Sequence, residues 1–260
     1  MINLGGGVVT DMGGFVAATY KRGIDFINIP TTLLSQVDAS VGGKTGIDID
    51  HVKNMVGTFS QPKAVFIEHR FLETLPQREL LSGFAEMIKH GLIADTAYYQ
   101  QLKESEYTAL PAALVYRSVQ IKNEVVTTDP FEKGLRKILN FGHTIGHAIE
   151  SYALANDKQP LTHGEAIAIG MICEAFLSVK YSGLSEDELK DISSYIMGLY
   201  PKYAIAEKSK TQLLALMQSD KKNENGIILF SLLKSLGKCG FNDQVPAHAI
   251  LESLTYYQQL

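Results

Sequence analysis

The run Ile24-Asp-Phe-Ile-Asn-Ile29 decides the fold class of the first third of the chain. A short run so rich in β-branched residues is typical of a buried strand, and Pro30 predicts its end. Ala64-Val-Phe-Ile67 is a second run of the same kind. Helix-like segments begin near Asp11, which is a candidate N-cap, and near Thr31. Because strand and helix alternate, the sequence predicts a parallel sheet of the α/β class.

Helical periodicity dominates after Pro76. The helical segments run from Arg78 to Ala94, from Pro111 to Val126, from Arg136 to Tyr152, from Gly164 to Tyr181 and from Ser185 to Met197. A clear strand pattern returns only from Ile227 to Leu233. We therefore expect a domain boundary near Leu75, with residues 1–75 in the α/β part and residues 76–260 in a mostly helical part.

The start of the chain is unusual for an α/β domain. The glycine-rich turn Gly5-Gly-Gly7 follows only Met1 to Leu4, and the two predicted strands are too few to bury both faces of a parallel sheet. We therefore expect the chain to begin inside a domain. We also expect the sheet edge near Ile24–Ile29 to be open to a further strand.

The composition excludes several classes of protein. The 260 residues are 45% hydrophobic and 20% charged, which excludes a disordered or fibrous chain. A net charge of −4 argues against a nucleic-acid or membrane-surface partner. Cys173 and Cys239 have no CxxC spacing, so a thiolate zinc motif or a disulfide framework is excluded. With no apolar run of ~18 residues and no signal peptide, the sequence predicts a cytoplasmic protein.

Histidines in the helical part suggest a metal site. His143-Thr-Ile-Gly-His147 places two imidazoles on one face of a helix, and Asn140 and Arg136 fall on or near that face. His163-Gly-Glu165 begins the next helix, and Glu86, in a mostly apolar helix, is a candidate carboxylate ligand. Zinc with three protein ligands is typical of catalytic sites. HxxxH alone is a weak signal, and core histidines bonded to the backbone explain the same spacing.

Glycine turns with nearby lysines suggest sites for an anion. Gly5-Gly-Gly7 with Asp11 is a candidate phosphate or dinucleotide contact, although it does not match GxGxxG. Asp38-Ala-Ser-Val-Gly-Gly-Lys44 and Lys53-Asn54 gather lysines and an amide beside a turn without Walker spacing. Tight turns and solvated surface lysines are the alternative interpretations. Further cations, which with a metal would suit a polyoxygenated, phosphorylated substrate, are Lys89, Lys122, Arg136, Lys221 and Lys222.

Six sequence blocks occur in a characteristic order. They are Gly5-Gly-Gly-Val-Val-Thr-Asp11, Pro30-Thr-Thr-Leu-Leu-Ser-Gln-Val-Asp-Ala-Ser-Val-Gly-Gly-Lys44, Lys53-Asn54, Gly83-Phe-Ala-Glu-Met-Ile-Lys89, Asn140-Phe-Gly-His-Thr-Ile-Gly-His147 and His163-Gly-Glu165. In this order the chain resembles 3-dehydroquinate synthases, members of the wider sugar-phosphate cyclase family, from Gly5 to about Leu233. The resemblance implies the remainder of a Rossmann-like NAD-binding domain, followed by a helical metal- and substrate-binding domain.

The resemblance also implies roles for individual residues. Glu86, His143 and His163 match the metal ligands, usually zinc (or cobalt), whereas His147 matches a histidine near the substrate phosphate. The segments that match NAD contacts are Gly6, Gly7, Val8, Val9, Thr10, Asp11, Thr31, Thr32, Lys44, Lys53, Phe71, Leu72, Glu73 and Thr74. The positions that match the substrate-binding and catalytic set are Asp38, Lys44, Asn54, Lys89, Lys122, Arg136, Asn140 and His147, together with Lys221 or Lys222. We expect Lys44 to lie near the nicotinamide and the reacting carbons.

The implied reaction converts 3-deoxy-D-arabino-heptulosonate 7-phosphate to 3-dehydroquinate and phosphate, a step of the shikimate pathway to aromatic amino acids. NAD takes a hydride from C5 and returns it after phosphate has been eliminated, so the enzyme is a lyase without net oxidation. A homodimer is also implied. A related cyclase, an NAD-linked metal-dependent alcohol dehydrogenase and a non-catalytic helical fragment are the alternatives.

This chain departs from the family pattern in one respect. The family's chains carry a further part of the α/β domain before the triple glycine. We therefore expect a folded, metal-competent chain that binds NAD poorly and has little activity alone, because one side of the dinucleotide crevice is absent.

Overall fold

A computed structural model describes residues 1–49, 52–218 and 228–260 of the chain. These residues form two compact units. The first comprises Met1–Met87 and Ser105–Glu132, and the second comprises Ile88–Glu104 and Lys133–Leu260. The domain boundary near Leu75 stays a prediction. Among the described residues, no helix combines the length and the apolar character needed to cross a membrane.

A three-stranded parallel sheet frames the first unit. Its strands, in spatial order, are β1 (Ile2–Gly5), β2 (Ile27–Pro30) and β5 (Ala64–Val65). The parallel sheet confirms the predicted α/β class. The prediction of an open edge at Ile24–Ile29 is wrong, because β2 lies in the middle and pairs with β1 on one side and β5 on the other. The predicted bounds of both strands are partly wrong: β2 begins at Ile27 instead of Ile24 and includes Pro30, and β5 ends at Val65 instead of Ile67.

The first long helix, α1 (Gly7–Thr19), begins directly after the glycine turn, with Gly6 as its N-cap. The prediction that Asp11 caps this helix is wrong, because the helix begins four residues earlier. Its small residues allow a close approach to the next element. A Cβ atom on Gly14 would lie 2.5 Å from Cγ2 of Thr45, so a residue larger than glycine does not fit where α1 packs against Thr45.

The sequence patterns missed an antiparallel hairpin in the first unit. It consists of β3 (Lys44–Ile49) and β4 (Val52–Phe59), with Lys44 opposite Phe59. Before it, the helix expected from Thr31 appears as a short turn that continues into a π-helical segment, Ser35–Ala39. A 3-10 segment, His69–Thr74, follows the sheet. The predicted helices after Pro76 are confirmed as α2 (Gln77–Ala94) and α4 (Ala112–Thr128).

Helices dominate the second unit, as predicted. They are α3 (Thr96–Lys103), α5 (His143–Asn156), α6 (His163–Tyr181), α7 (Glu186–Leu199), α8 (Lys210–Gln218) and α9 (Ala247–Gln259). Four short strands form two antiparallel pairs: β6 (Leu229–Phe230) with β9 (Asp243–Gln244), and β7 (Leu233–Ser235) with β8 (Lys238–Cys239). The single strand predicted from Ile227 to Leu233 is therefore wrong for residues 228 and 231–232, and Ile227 lies outside the described residues.

The prediction of one continuous helix from Arg136 to Tyr152 is also wrong. The backbone forms a 3-10 segment over Leu135–Asn140, and α5 begins only at His143. Gly142 lies between them with a φ of 79°, a left-handed conformation that favours glycine and interrupts the helix. Arg136 and Asn140 therefore do not share a helical face with the two histidines of α5.

Candidate active site

Three histidines of the second unit come together at the beginnings of two neighbouring helices. His143 is the first residue of α5, His147 follows one turn later, and His163 is the first residue of α6. The centroid of the His143 ring lies 5.1 Å from the centroid of the His147 ring and 5.5 Å from that of the His163 ring. His147 and His163 are separated by 5.8 Å. Of the groups of side chains that could hold one metal ion, those that include these histidines combine His163 either with His143 or with His147.

The ring of His143 is held by its own backbone. Its Nδ1 lies 3.0 Å from the carbonyl oxygen of Phe141, and the side chain is buried. A carbonyl oxygen only accepts hydrogen bonds, so Nδ1 carries the hydrogen and Nε2 keeps its lone pair. Nε2 is therefore the nitrogen that His143 offers to a metal.

A carboxylate lies beside the other two histidines. Glu150 Oε2 lies 3.3 Å from Nδ1 of His163, and one ligand atom from each of His147, Glu150 and His163 lies within 4.8 Å of the others. Glu150 is buried, whereas His163 is half-buried. The cluster thus combines imidazole nitrogens with one carboxylate oxygen, which is a ligand chemistry that zinc accepts.

A second buried carboxylate holds the beginning of α5. Glu174 on α6 accepts hydrogen bonds from the backbone N–H of Gly142 at 2.7 Å and of Ile145 at 3.1 Å. These amides lie at the N-terminus of a helix, where they lack intrahelical partners and the helix dipole favours a negative charge. Glu174 therefore ties the helix that carries His143 to the helix that carries His163.

Glycines let these two helices approach each other closely. A Cβ atom on Gly170 of α6 would lie 1.9 Å from the carbonyl oxygen of Gly142. A Cβ atom on Gly146 of α5 would lie 3.1 Å from the carbonyl oxygen of Ala166. At the start of α6, Thr162 and Glu165 form a capping box that fixes the helix beginning at His163. The glycines and the capping box therefore fix the backbone of both helices without a bound ligand.

Neither thiol of the chain adds to this donor set. Burial, and then the nearby Glu174 carboxylate, raise the pKa of the Cys173 thiol and of the Cys239 thiol. In the absence of a metal, both groups are therefore protonated at neutral pH, and neither belongs to a potential metal-binding group among the described residues.

Two of the predicted substrate lysines form ion pairs within the first unit. Lys122 Nζ on α4 lies 2.6 Å from Oδ1 of Asp38 and also donates to the carbonyl oxygen of Asp38. Lys44, at the start of β3, forms an ion pair with Glu132 and is half exposed. Asp38 and Lys122, both predicted to belong to the substrate-binding set, are therefore in direct contact. The partner of Lys44 is Glu132, which the sequence patterns did not indicate.

The glycine turn at the start of α1 is supported by a chain of buried hydroxyl groups. Thr10 Oγ1 donates to the carbonyl oxygen of Gly7 and lies 3.2 Å from Ser35 Oγ, which lies 2.9 Å from Ser40 Oγ. Thr32 packs on the turn, since a Cβ atom on Gly6 would lie 3.0 Å from Cγ2 of Thr32. The turn is therefore fixed from behind, while its first amides point out of a helix N-terminus and can receive an anion.

The other predicted NAD contacts differ from one another in burial and in the segment on which they lie. Val8, Val9, Asp11 and Thr31 are exposed or half-buried. Phe71, Leu72, Glu73 and Thr74 lie in the 3-10 segment, where Leu72 and Glu73 line a cavity of about 140 Å³. Gln36 connects this segment with the sheet, because its Nε2 donates to the carbonyl oxygens of Pro30 and Glu68.

The structure gives the surroundings of only some of the remaining predicted residues. Glu86 is fully buried on α2 in the first unit, whereas Lys89, Arg136 and Asn140 belong to the second unit, where Lys89 and Arg136 are buried. Lys53 and Asn54 lie on β4, and the structure describes only their backbone. Lys221 and Lys222 lie outside the described residues. That Glu86, His143 and His163 bind one ion stays a prediction, as do the other assigned roles.

The sequence analysis missed Gln36, Glu132, Glu150 and Glu174. Glu150 and Glu174 had a usable signal, because each is a lone charge in an apolar helical stretch, Ala148-Ile-Glu150 and Met171-Ile-Cys-Glu-Ala-Phe-Leu177. The same signal had singled out Glu86. Glu132 and Gln36 had no such signal, because their partners depend on tertiary contacts.

Comparisons with known proteins agree with this architecture. The family model for the 3-dehydroquinate synthase N-terminal region matches residues 1–82, and the model for the C-terminal region matches residues 83–223. A 3-dehydroquinate synthase from Parabacteroides distasonis is 48% identical over 264 residues, which cover 100% of this chain and 74% of that protein.

Two solved structures are similar over nearly the whole chain. The 2-epi-5-epi-valiolone synthase of Streptomyces hygroscopicus, with NAD+ and Zn2+ bound, has a TM-score of 0.84 and 27% identity over 99% of this chain and 73% of that chain. A 2-deoxy-scyllo-inosose synthase, complexed with carbaglucose-6-phosphate, NAD+ and Co2+, has a TM-score of 0.85 and 26% identity over 98% of this chain and 72% of that chain. The chain belongs to the 3-dehydroquinate synthase family.

Proposed function

We propose that this chain acts as a 3-dehydroquinate synthase, converting 3-deoxy-D-arabino-heptulosonate 7-phosphate to 3-dehydroquinate and phosphate. The observation that carries the proposal is the cluster of His143, His147 and His163 at the beginnings of α5 and α6. It occurs in a chain 48% identical to a protein of that name. The identity to the other two cyclases is lower, at 26–27%, which favours the synthase over its relatives.

The donor set of the cluster fits a divalent cation. His143 offers Nε2 because Phe141 holds its Nδ1, and His163 offers Nε2 because its Nδ1 lies against Glu150. We propose His143 and His163 as ligands and the buried carboxylate of Glu86 as the third. Two nitrogen ligands and one carboxylate leave an open coordination position, which is the pattern of catalytic zinc sites.

The glycine turn fits the pyrophosphate of NAD. Gly6 and Gly7 have no side chains to obstruct an anion at the N-terminus of α1, and Thr10 fixes the turn from its buried side. We propose the turn, Thr31, Thr32, Lys44, Lys53 and the segment 71–74 as the NAD contacts. When bound, NAD accepts and returns a hydride, and the metal ion polarises the substrate hydroxyl groups.

The remaining polar residues suit the substrate. Arg136 has a planar fork of donors that matches the substrate carboxylate. Lys89, Asn54 and His147 are proposed donors to the phosphate group, with Lys221 or Lys222 as a further cation. Asn140 and Lys122 are proposed to orient hydroxyl groups, and Asp38 holds the ammonium group of Lys122 in position for this.

The test measures products and metal in the same preparation. With NAD in excess, Zn2+ and substrate, we expect slow turnover that yields equimolar phosphate and 3-dehydroquinate without accumulation of NADH. Replacing His143 with Ala should remove stoichiometric zinc from the dialysed protein and slow phosphate release at least about a hundredfold, since even an indirect contact to a metal ligand is worth 10–100-fold. The matched control is H248A, because His248 is exposed on α9 of the same unit.

Each alternative predicts a different result. Net release of NADH would identify a dehydrogenase, and turnover of another sugar phosphate in place of the proposed substrate would identify a related cyclase. Full zinc occupancy in H143A would reject the metal assignment. The homodimeric state and the cytoplasmic location stay predictions, which light scattering and cell fractionation would check.

A further inference from the structure

Glu150 is a buried carboxylate that lies beside the histidine cluster but is not among the ligands proposed above, which are Glu86, His143 and His163. Its side chain is only 8% exposed, and its Oε2 lies 3.3 Å from Nδ1 of His163. It lies on α5, one helical turn after His147, whereas His163 begins α6. Burying a carboxylate is unfavourable unless hydrogen bonds or a cation compensate it. Its position beside the histidine cluster therefore calls for a role.

His163 needs an anchor more than His143 does. The side chain of His143 is buried, and the carbonyl oxygen of its neighbour Phe141 fixes its ring. His163 is the first residue of its helix, and its side chain is 22% exposed. The described contact to its Nδ1 comes from Glu150, and a carboxylate at this position favours the tautomer with the hydrogen on Nδ1.

We propose that Glu150 is a positioning residue for His163. By accepting the Nδ1–H, it fixes the tautomer that leaves Nε2 free for the metal, restricts the rotation of the ring and makes the imidazole a stronger donor. This inference rests on the proposed function, in which His163 is a metal ligand.

One competing arrangement uses the same atoms. His147, Glu150 and His163 each offer a ligand atom within 4.8 Å of the others, so Glu150 can itself bind the ion. In that arrangement His143 is dispensable for metal binding. The two arrangements therefore predict different results for substitutions at Glu150 and His143.

The experiment measures zinc affinity rather than activity. Metal-free wild-type protein, E150Q, E150D, E150A and H143A are titrated with Zn2+ against a chromophoric chelator, and Co2+ spectra report the ligand geometry. The control is E188Q, because Glu188 is a capping-box carboxylate on α7 of the same unit. Urea unfolding shows which variants are folded, and E150D tests the proposal if E150Q does not fold.

We expect E150Q to bind zinc about 10–100-fold more weakly than wild type, and E150A more weakly still, because Gln can accept the Nδ1–H but carries no charge. E150D should also lose affinity, since the shorter side chain withdraws the carboxylate. E188Q should bind zinc as wild type does. The Co2+ spectrum of E150Q should differ from that of wild type.

Three results distinguish failure of the positioning role from failure of the proposed metal site. Unchanged zinc affinity in folded E150Q or E150D overturns the positioning role alone. Complete loss of binding in E150Q, with binding retained in H143A, overturns it in favour of Glu150 as a direct ligand. Failure of wild type to bind one zinc ion per chain overturns the metal site of the proposed function itself.

Discussion

Replacing Gly170 with Ala tests how tightly the two histidine-bearing helices must approach. The added Cβ atom would lie 1.9 Å from the carbonyl oxygen of Gly142. Ordinary contacts between such atoms are about 3.3 Å or longer, so the start of α5 must move by about 1.4 Å away from α6. Because a backbone carbonyl cannot rotate aside as a flexible side chain does, the whole turn around Gly142 must shift.

The shift also breaks the contacts of Glu174. Its hydrogen bond from the Gly142 amide is 2.7 Å long, and that from Ile145 is 3.1 Å, so a movement of this size takes both beyond hydrogen-bond distance. Overpacking costs about 1–3 kcal/mol, and each hydrogen bond to a charged group contributes about 1.5–3 kcal/mol. Alanine gains about 1 kcal/mol over glycine within a helix. We therefore expect G170A to lower the free energy of unfolding by at least about 3 kcal/mol and to weaken zinc binding.

The chain offers a matched control for this substitution. Gly198 lies in α7 of the same unit, and among the described residues no atom beyond its own helical turn lies within 4 Å of the position that its Cβ would take. G198A should therefore stabilise the unit by about 0.5–1 kcal/mol through helix propensity. Urea unfolding of wild type, G170A and G198A by circular dichroism measures both effects. If G170A and G198A agree to within about 0.5 kcal/mol, the close contact between α5 and α6 is refuted.

Two further predictions concern ion pairs and caps. Lys122→Met should lower the free energy of unfolding by about 2 kcal/mol, less than for a fully buried pair, because Asp38 loses its cation while remaining 25% exposed. A loss below about 0.5 kcal/mol in urea unfolding would contradict this. Burial raises the pKa of Glu188, but the N–H groups of Leu236 and Ser185 and the Ser185 hydroxyl outweigh it and hold the pKa below its ordinary value. The stabilisation is therefore present above the unfolded pKa of about 4.3 and is lost as pH falls through the folded pKa. E188Q should cost about 1 kcal/mol at pH 7 and progressively less in acid, and a deficit independent of pH would contradict the assignment.

The fold class followed from local patterns, whereas the pairing of the strands did not. Alternation of strand and helix predicted the parallel sheet, and helical periodicity predicted α2, α4, α6 and α7 closely. The position of β2 in the sheet depends on β1, a strand of four residues with little pattern of its own. The hairpin of β3 and β4 was missed because its glycines and polar residues lack a clear strand alternation.

Gly142 shows why the helix beginning at Arg136 was predicted wrongly. Periodicity counts apolar residues and does not detect a single residue with a positive φ. A glycine in a helical pattern is tolerated at a cost of about 1 kcal/mol, so its presence alone does not decide whether the helix breaks. Here the decisive factor is tertiary, because the turn around Gly142 faces Gly170 and bonds to Glu174.

Buried charge is the property that links the predicted site residues to the missed ones. Glu86 was found because a lone carboxylate in an apolar helix is unfavourable without a partner, and the same argument applies to Glu150 and Glu174. Their partners differ: Glu174 accepts backbone amides, whereas Glu150 lies against an imidazole. The sequence can therefore show that a buried carboxylate has a role, but only the structure separates a carboxylate that holds the backbone from one that orients a ligand.

The glycines and the carboxylates at α5 and α6 contribute to one structural feature, the close packing of these two helices. Glu174 reaches the amides of α5 only if the helices approach closely, and Gly142 and Gly170 are what permit that approach. His143 and His163 are the first residues of these two helices, so any change in the separation of the helices changes the distance between the histidines. A metal site built from helix starts thus depends on the backbone contact beneath it as much as on the identity of its ligands.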